Sequence, residues 1–422
     1  MLTQIRRLFG LLLGVTILIT GMGLLSSLLG LRATLAHFPG WQLGLVMSGY
    51  FAGFVIGSFI CPILIRNVGH IRTFAGLAAI VASAALAHAL AINPWSWLAL
   101  RLLTGIAMVG LYMVTESWLN ATLPREQRVP VFALYVMLTL VAMAAGQLPF
   151  LAVPATGPTL FLVAGMLIVF GLVPVTITRL DQPGTVNTPN LPPWRLVRRA
   201  PFAMIATFLA GLVTGAFWGM GAAFAARIGL SPVGVGAFVA SVIGGGVVAQ
   251  LPLGRLSNRM GRRPVLISAA LTGAAFALLM AASIHGPLWL LLLFAFGFGA
   301  TSLCLYALAV AHMNDLLDPE EVLAATQGLL LASGGGATLG PLIAGIMFDF
   351  VGARGLPYYQ AAVLVLLVVI GILRSFQRVA PSLDEQGEFV PLFMTSQGGL
   401  EVAEEIFEDL ARDAESLDPE QD

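Results

Sequence analysis

Twelve stretches of roughly 20 apolar residues, parted by short polar breaks, leave this chain few folds to adopt. An α-helix rises about 1.5 Å per residue, so about 20 residues cross a hydrocarbon core of about 30 Å. The stretches run 8–31, 41–65, 73–92, 95–119, 131–153, 158–178, 202–226, 232–253, 264–284, 288–312, 322–348 and 357–375. In lipid the backbone must satisfy its own polar groups, which each helix does internally. The expected fold is therefore an all-α membrane protein with twelve transmembrane helices. Asn93-Pro94 and His285-Gly286-Pro287 read as hairpin turns between antiparallel neighbours. The first stretch is too long for a signal peptide and lacks a cleavage site, so it reads as a retained span.

Charge then orients the spans. Only 10% of the residues are charged, against about 25% in a soluble domain. From Asp384 to Asp422 there are 13 acids and one arginine, and the rest of the chain holds 8 acids and 20 arginines, so the formal zero sums a basic body and an acidic tail. With the N-terminus inside, 17 arginines fall in cytoplasmic segments and only Arg32, Arg227 and Arg354 outside. That bias puts both termini in the cytoplasm. Every basic residue is an arginine. Without lysine there is no Walker A phosphate loop and no Schiff-base amine, which excludes an ATP-driven motor built from this chain alone. Cys61 and Cys304 lie in apolar stretches and read as small core residues, and the five histidines show no ligand-spaced pair.

A proline- and arginine-rich segment at 179–201 divides the spans six and six. The expected units are a first six-helix bundle over 1–178, a linker over 179–201, a second bundle over 202–376 and an acidic cytoplasmic tail over 377–422. Internal echoes support pseudo-symmetry between the bundles. Gly69-His70-Ile71-Arg72 follows the second span and Gly261-Arg262-Arg263 the eighth. Leu111-Tyr112 precedes Asn120 as Leu305-Tyr306 precedes Asn314, with the same gap. In the tail, Val402, Ile406 and Leu410 recur every four residues among glutamates, as in a short amphipathic helix.

Several strings resemble the major facilitator superfamily. Gly254-Arg255-Leu256-Ser257-Asn258-Arg259-Met260-Gly261-Arg262-Arg263 is similar to its signature loop, with Asn258 where the family has an aspartate. Arg101 to Gly105, followed by Gly110, resembles its R-x-x-x-G motif, and Gly336 to Pro341 its glycine-proline motif, here in the eleventh span. Gly69 to Arg72, Glu116 to Asn120, Ala311 to Asp315 and Leu417 to Pro419 resemble the YcaD-like branch of bacterial proteins. The resemblance implies a secondary transporter driven by an ion gradient, usually of protons. Spans 1, 4, 7 and 10 would line its central cavity, and the signature loop would act as a gate.

Candidate site residues follow from the cost of polarity at membrane depth, at least ~2.5 kcal/mol for a charge. In the fourth span Arg101, Tyr112 and Glu116 share one helical face, with Arg101 and Glu116 about 22 Å apart. Arg101 and Glu116 are the candidate proton-coupling pair; Arg101 and Tyr112 also contact substrate in this reading, or else Arg101 braces neighbouring helices. Glu116 either takes up the proton or clamps Arg66 or Arg72, and Asp315 pairs with Arg259 or Arg263. Gln147 and Gln250, mid-span amides beside prolines, bind substrate or satisfy kinked backbone. Trp218 and Tyr306 stack on an aromatic cargo or pack. The candidate gating residues are Gly69, His70, Arg72, Gly254, Arg255, Asn258, Arg259, Gly261, Arg262, Arg263 and Asp315.

The expected function is a non-enzymatic, proton-coupled carrier in the bacterial inner membrane, exporting a small organic solute by alternating access. It needs no cofactor, metal or nucleic acid and acts as a monomer. Uptake or facilitated diffusion is the alternative, because no glycine-proline motif occupies the fifth span. A sensor or scaffold signalling through the tail is a third reading.

Overall fold

The computed structural model describes residues 2–178, 199–317 and 319–376. Most of the expected linker and the whole of the acidic tail lie outside the described residues. Among the described residues every regular element is a helix: α1 (Leu2–Leu35), α2 (Gly40–Val68), α3 (His70–Leu90), α4 (Pro94–Thr122), α5 (Arg125–Ala145), a 3-10 turn (Leu148–Leu151), α6 (Thr159–Ile177), α7 (Pro201–Arg227), α8 (Pro232–Met260), α9 (Arg262–Ala282), α10 (Leu288–Ser302), α11 (Leu305–Asn314), α12 (Pro319–Val351) and α13 (Gly355–Ser375). Large apolar side chains face outward around the bundle, including Phe59, Leu90, Phe170 and Phe350. In water that surface would be untenable; lipid supplies its partner.

Three borders depart from the sequence reading. The stretch 288–312 is broken at Leu303-Cys304 into α10 and α11. The stretch 131–153 leaves the α-helix at Ala145 and ends in the 3-10 turn. The last two stretches join through a second 3-10 turn, Gly352–Arg354, so that Gly328–Ser375 forms one apolar helical run of 48 residues. Among the described residues this gives eleven runs long and apolar enough to cross a membrane.

Local chemistry sets the helix ends. Asn93 caps α4 by accepting from the backbone of Trp95 and Ser96, and Ser231 caps α8 by accepting from Gly234. The reversals from α2 to α3 and from α8 to α9 each pass through one glycine at positive φ, Gly69 (φ 89°) and Gly261 (φ 87°). No side chain sits comfortably there. These two glycines are 192 positions apart, and so are His37 (φ 56°) and Gly229 (φ 87°), which end α1 and α7. Around His37 the amides of Ala36, His37 and Phe38 bond the carbonyls of Arg32, Thr34 and Ala33; around Gly229 those of Ile228, Gly229 and Leu230 bond Phe224, Ala226 and Ala225 at the same spacing.

Packing repeats as well. Gly53 and Gly105 bring α2 and α4 together, each against the other helix's backbone at Leu102 and Tyr50. Gly245 and Gly299 do the same for α8 and α10, against Phe296 and Val242. Small residues let apolar helices approach closely where no hydrophobic force separates lipid from protein. The chain thus contains a structural repeat, its first copy in α1–α5 and its second in α7–α12.

Candidate functional site

The two copies of the repeat meet along two seams that are themselves equivalent. In one, α2 runs antiparallel to α12: a methyl group on Gly44 would overlap the Pro341 carbonyl, and one on Gly345 the Gly40 carbonyl. In the other, Gly236 of α8 faces Gln147, and a methyl group there would lie 3.2 Å from Gln147 Cβ and 3.5 Å from the Phe150 ring. Gly44 and Gly236 are repeat partners, and so are Pro341 and Gln147.

The α2–α12 seam is closed by charge. Pro39 precedes α2 and offers no capping side chain. Asp349 of α12 takes that role across the seam, accepting from Gly40 N at 2.6 Å and Trp41 N at 2.8 Å. Its carboxylate lies where a helix N-terminus leaves amides unpaired and carries positive potential. Beside it, Arg227 donates to Phe38 O at 3.1 Å and lies over the Phe348 ring, 4.7 Å from its centroid. The sequence reading named neither residue as functional. The signal for them was a helix with no cap of its own and one acid, Asp349, in an apolar run.

Behind the second seam lies a cleft between α1, α5, α7 and α8, lined by Ser26, Ser27, Met143, Gln147, Phe217 and Trp218 among others. It holds roughly one water molecule's volume. Ser26 and Trp218 each precede the end of their helix by nine residues, which places the cleft about 14 Å in from that end. Gln147, read from sequence as mid-span, sits just beyond the end of α5, where Gly146 caps the helix. Its Nε2 donates to Gly23 O at 3.2 Å and Met143 O at 3.1 Å. Trp218 packs on Phe217 with ring centroids 5.0 Å apart. Two of the six residues expected to bind substrate, Gln147 and Trp218, therefore share one cleft.

The remaining candidates lie elsewhere. Arg101 is 2% exposed, with its guanidinium 4.4 Å from the Tyr50 ring centroid. Its Nε and Nη1 have no hydrogen-bond partner among the described residues. Buried His88 lies within reach of its charge and bonds Ala84 O through Nδ1 at 2.6 Å. Tyr112, on the same helix, packs its ring on Phe54 at 6.3 Å. Glu116, also 2% exposed, acts electrostatically on Tyr135 of α5 and Tyr306 of α11. Arg101 and Glu116 thus occupy separate environments on α4. Arg66 and Arg72 are exposed. Gln250 is buried within α8. Tyr50, His88 and Tyr135 escaped the sequence reading because no motif contains them.

At the far end from Asp349, the turn between α8 and α9 is organised by Arg262. It is 1% exposed and donates through Nε to Asp315 Oδ2 at 3.2 Å, through Nη1 to Ser257 Oγ at 2.7 Å, and to Asn258 Oδ1. Asp315 pairs with Arg262, where the sequence reading offered Arg259 or Arg263. Helical register explains the change: Arg262 opens α9 facing inward, whereas Arg255, Asn258 and Arg259 lie on the exposed face. Arg263 lies over Phe202 at 5.6 Å. In the first copy His70 occupies the place of Arg262, with its Nε2 3.0 Å from Ser117 Oγ. Gly254 and Gly261 are buried beside this turn, and Gly69 and Arg72 flank its first-copy counterpart.

A repeated bundle of membrane-length helices, meeting at two seams over a polar cleft, is the architecture of a multi-pass solute carrier. Residues 203–393 match the family model of the Major Facilitator Superfamily. An uncharacterized MFS-type transporter, YcaD, from Salmonella heidelberg (strain SL476) is 27% identical over 357 residues, 83% of this chain and 91% of that protein. The YcaD of Escherichia fergusonii is 28% identical over 336 residues, 78% of this chain and 86% of that protein. A mutant of the nucleoside transporter NupG shares the fold with a TM-score of 0.73 at 14% identity, covering 86% of this chain and 99% of that one. A bacterial homolog of the human lysosomal transporter Spinster, inward-facing and occupied, does so at 0.68 and 16%, covering 89% and 97%. Over residues 203–393 the chain is similar to the major facilitator superfamily, a family of transporters and not of enzymes, and over most of its length to the YcaD-type proteins.

Proposed function

We propose that this protein is a secondary active transporter that moves a small organic solute across the bacterial inner membrane by alternating access, coupled to protons and running in the export direction. The observation that carries this reading is the pair of repeat-related seams closing one end of the bundle over a polar cleft. Two similar bodies touching at one end can exchange that contact for one at the other by rocking, which exposes the cleft to each side in turn.

In this reading residues 1–178 and 202–376 move as the two bodies of a monomer, with 179–201 as linker and 377–422 as an accessory tail. The 48-residue run at the end rises about 72 Å, enough for two crossings joined at the Gly352–Arg354 turn, which brings the count to twelve. The arginine-rich ends of α2, α8 and α9 face the cytoplasm with both termini, so the Asp349 end faces outward. Glu116 takes up and releases the proton, with Tyr135 and Tyr306 as neighbours from both copies of the repeat. Arg101 biases that site or the solute, and the turns around Gly69 and Gly261 form the inner gate.

The test is reconstitution in vesicles enclosing a pH-sensitive dye, with a panel of small organic solutes added outside. Wild-type protein is expected to move protons with at least one of them. Glu116→Gln and Arg101→Ala are each expected to lower proton-linked flux at least tenfold while eluting as folded protein in gel filtration. Wild-type coupling in both variants would remove these two residues from the mechanism.

A further inference from the structure

Gln147 Oε1 is buried and has no hydrogen-bond partner among the described residues, although the residue is only 6% exposed. Ordinarily the two ends of such an amide are hard to tell apart. Here they are not interchangeable: the nitrogen faces two carbonyls, Gly23 O and Met143 O, which can only accept. Reversing the amide would set oxygen against oxygen twice. The Nε2 anchors therefore fix Oε1 as a buried acceptor on a residue that lines the cleft. An unpaired buried acceptor destabilises the site, and a ligand donor would recover that loss.

The rest of the lining narrows the ligand. Met143, Phe217 and Trp218 present apolar and aromatic surface, Ser26 and Ser27 add hydroxyls, and no lining residue is ionisable. A charged group entering the cleft would lose its hydration without gaining a counter-charge. The Phe217–Trp218 pair, its planes 59° apart, offers an angled aromatic wall to a flat solute.

We propose that the cleft between α1, α5, α7 and α8, which here holds about one water molecule, widens when the seam opens and then binds an uncharged, planar solute that donates a hydrogen bond to Gln147 Oε1. This names the substrate class for the carrier reading above and rests on it. Specificity would come from the donor: a solute without one leaves the acceptor buried and unpaired, and an anion sets like charge against it.

The experiment measures binding to the full-length protein in nanodiscs with three matched probes. Benzamide is flat, neutral and carries N–H donors; N,N-dimethylbenzamide lacks the donors; benzoate is a flat anion of similar size. Benzamide is expected to bind at least tenfold more tightly than either of the others. Gln147→Met, which keeps the length but removes the acceptor, is expected to erase that preference. Because Gln147 also anchors two carbonyls, Ser26→Leu serves as a second variant, filling the cleft from α1 with those anchors intact, and should weaken benzamide at least tenfold. Equal affinity for the three probes, no binding of any of them, or benzamide affinity unchanged in Ser26→Leu would overturn the assignment. The vesicle assay separates the two readings: flux of other solutes alongside failed benzamide binding sinks the cleft assignment alone, whereas absence of all flux sinks the carrier.

Discussion

Where the first copy of the repeat sets neutral His70 against Ser117, the second sets Arg262 against Asp315. The seams differ in a similar way. The α2–α12 contact is backbone on backbone, glycine against carbonyl, and is capped by Asp349. Its counterpart substitutes Gln147 for Pro341, and the amide side chain opens a polar cleft behind it. Duplication supplied one scaffold twice; the divergence at matched positions left a backbone-on-backbone contact on one side and a cleft lined by an amide and two hydroxyls on the other. At the opposite end it left one turn neutral and the other held by a buried ion pair.

The sharpest way to break that comparison is to unpair the charged turn. Both side chains of the Arg262–Asp315 pair are about 1% exposed. Removing one partner strands the other charge in a poorly solvated place, a loss of about 3–5 kcal/mol. Asp315→Ala is thus expected to lower the Tm in nanodiscs strongly, and Ser117→Ala, which deletes the neutral partner of His70, by no more than about 1 kcal/mol. If the two losses match, the turns are equivalent after all.

The seams come next in size. Gly345→Val drives a branched side chain into the Gly40 carbonyl and the Gly44 backbone, which cannot step aside. Overpacking of this kind costs about 1–3 kcal/mol, here charged against the sealed state. With Ser27→Cys as reporter, maleimide labelling is expected to rise about tenfold or more, since about 1.4 kcal/mol is a factor of ten; native Cys61 and Cys304 are buried and stay silent. Gly236→Val meets Gln147 Cβ at 3.2 Å and Gln147 O at 3.4 Å, a looser contact than that at Gly345, and is expected to raise labelling less than threefold. Asp349→Ala removes the acceptor for two N-terminal amides, about 1–2 kcal/mol, and should fall near the Gly345 variant, with Asp349→Asn between it and wild type. Labelling that is insensitive to both Gly345 and Asp349 would mean that this seam does not hold the sealed end.

Those contacts mark the limit of what the sequence discloses. Apolar runs of sufficient length announce helices in lipid, and Gly69 with Gly261, or Tyr112 with Tyr306, reveal the repeat through spacing alone. Arg101 and Glu116 stand out because a charge is rare there, and both are buried. Partners across helices are another matter. In a membrane chain nearly every face is apolar, so periodicity does not say which face meets which neighbour. Asp349 is 309 positions from the amide it caps. Arg262, Arg259 and Arg263 look alike in the loop until the register of α9 turns Arg262 into Asp315. The break at Leu303-Cys304 carries neither glycine nor proline and left no signal. Gln147 was legible as a polar residue in an apolar run, but its free oxygen follows only from knowing that two carbonyls hold the nitrogen.

The smallest predicted effect tests how far the equivalence reaches. His37 and Gly229 close the same turn with the same three hydrogen bonds, yet His37 holds a positive φ that suits glycine. Both positions are exposed, and a side chain at Gly229 would meet nothing within 4 Å, so packing does not distinguish them. Only backbone preference does. A left-handed residue with a side chain costs about 1–2 kcal/mol, while glycine loses about 0.5–1 kcal/mol more chain entropy on folding. His37→Gly is therefore expected to raise the Tm slightly, by the equivalent of about 1 kcal/mol or less, and Gly229→His to lower it by a similar amount. Opposite signs of comparable size would make the two turns interchangeable copies. A loss at both positions would mean that the His37 side chain has acquired a contact of its own, and that the copies have diverged even where their backbones still coincide.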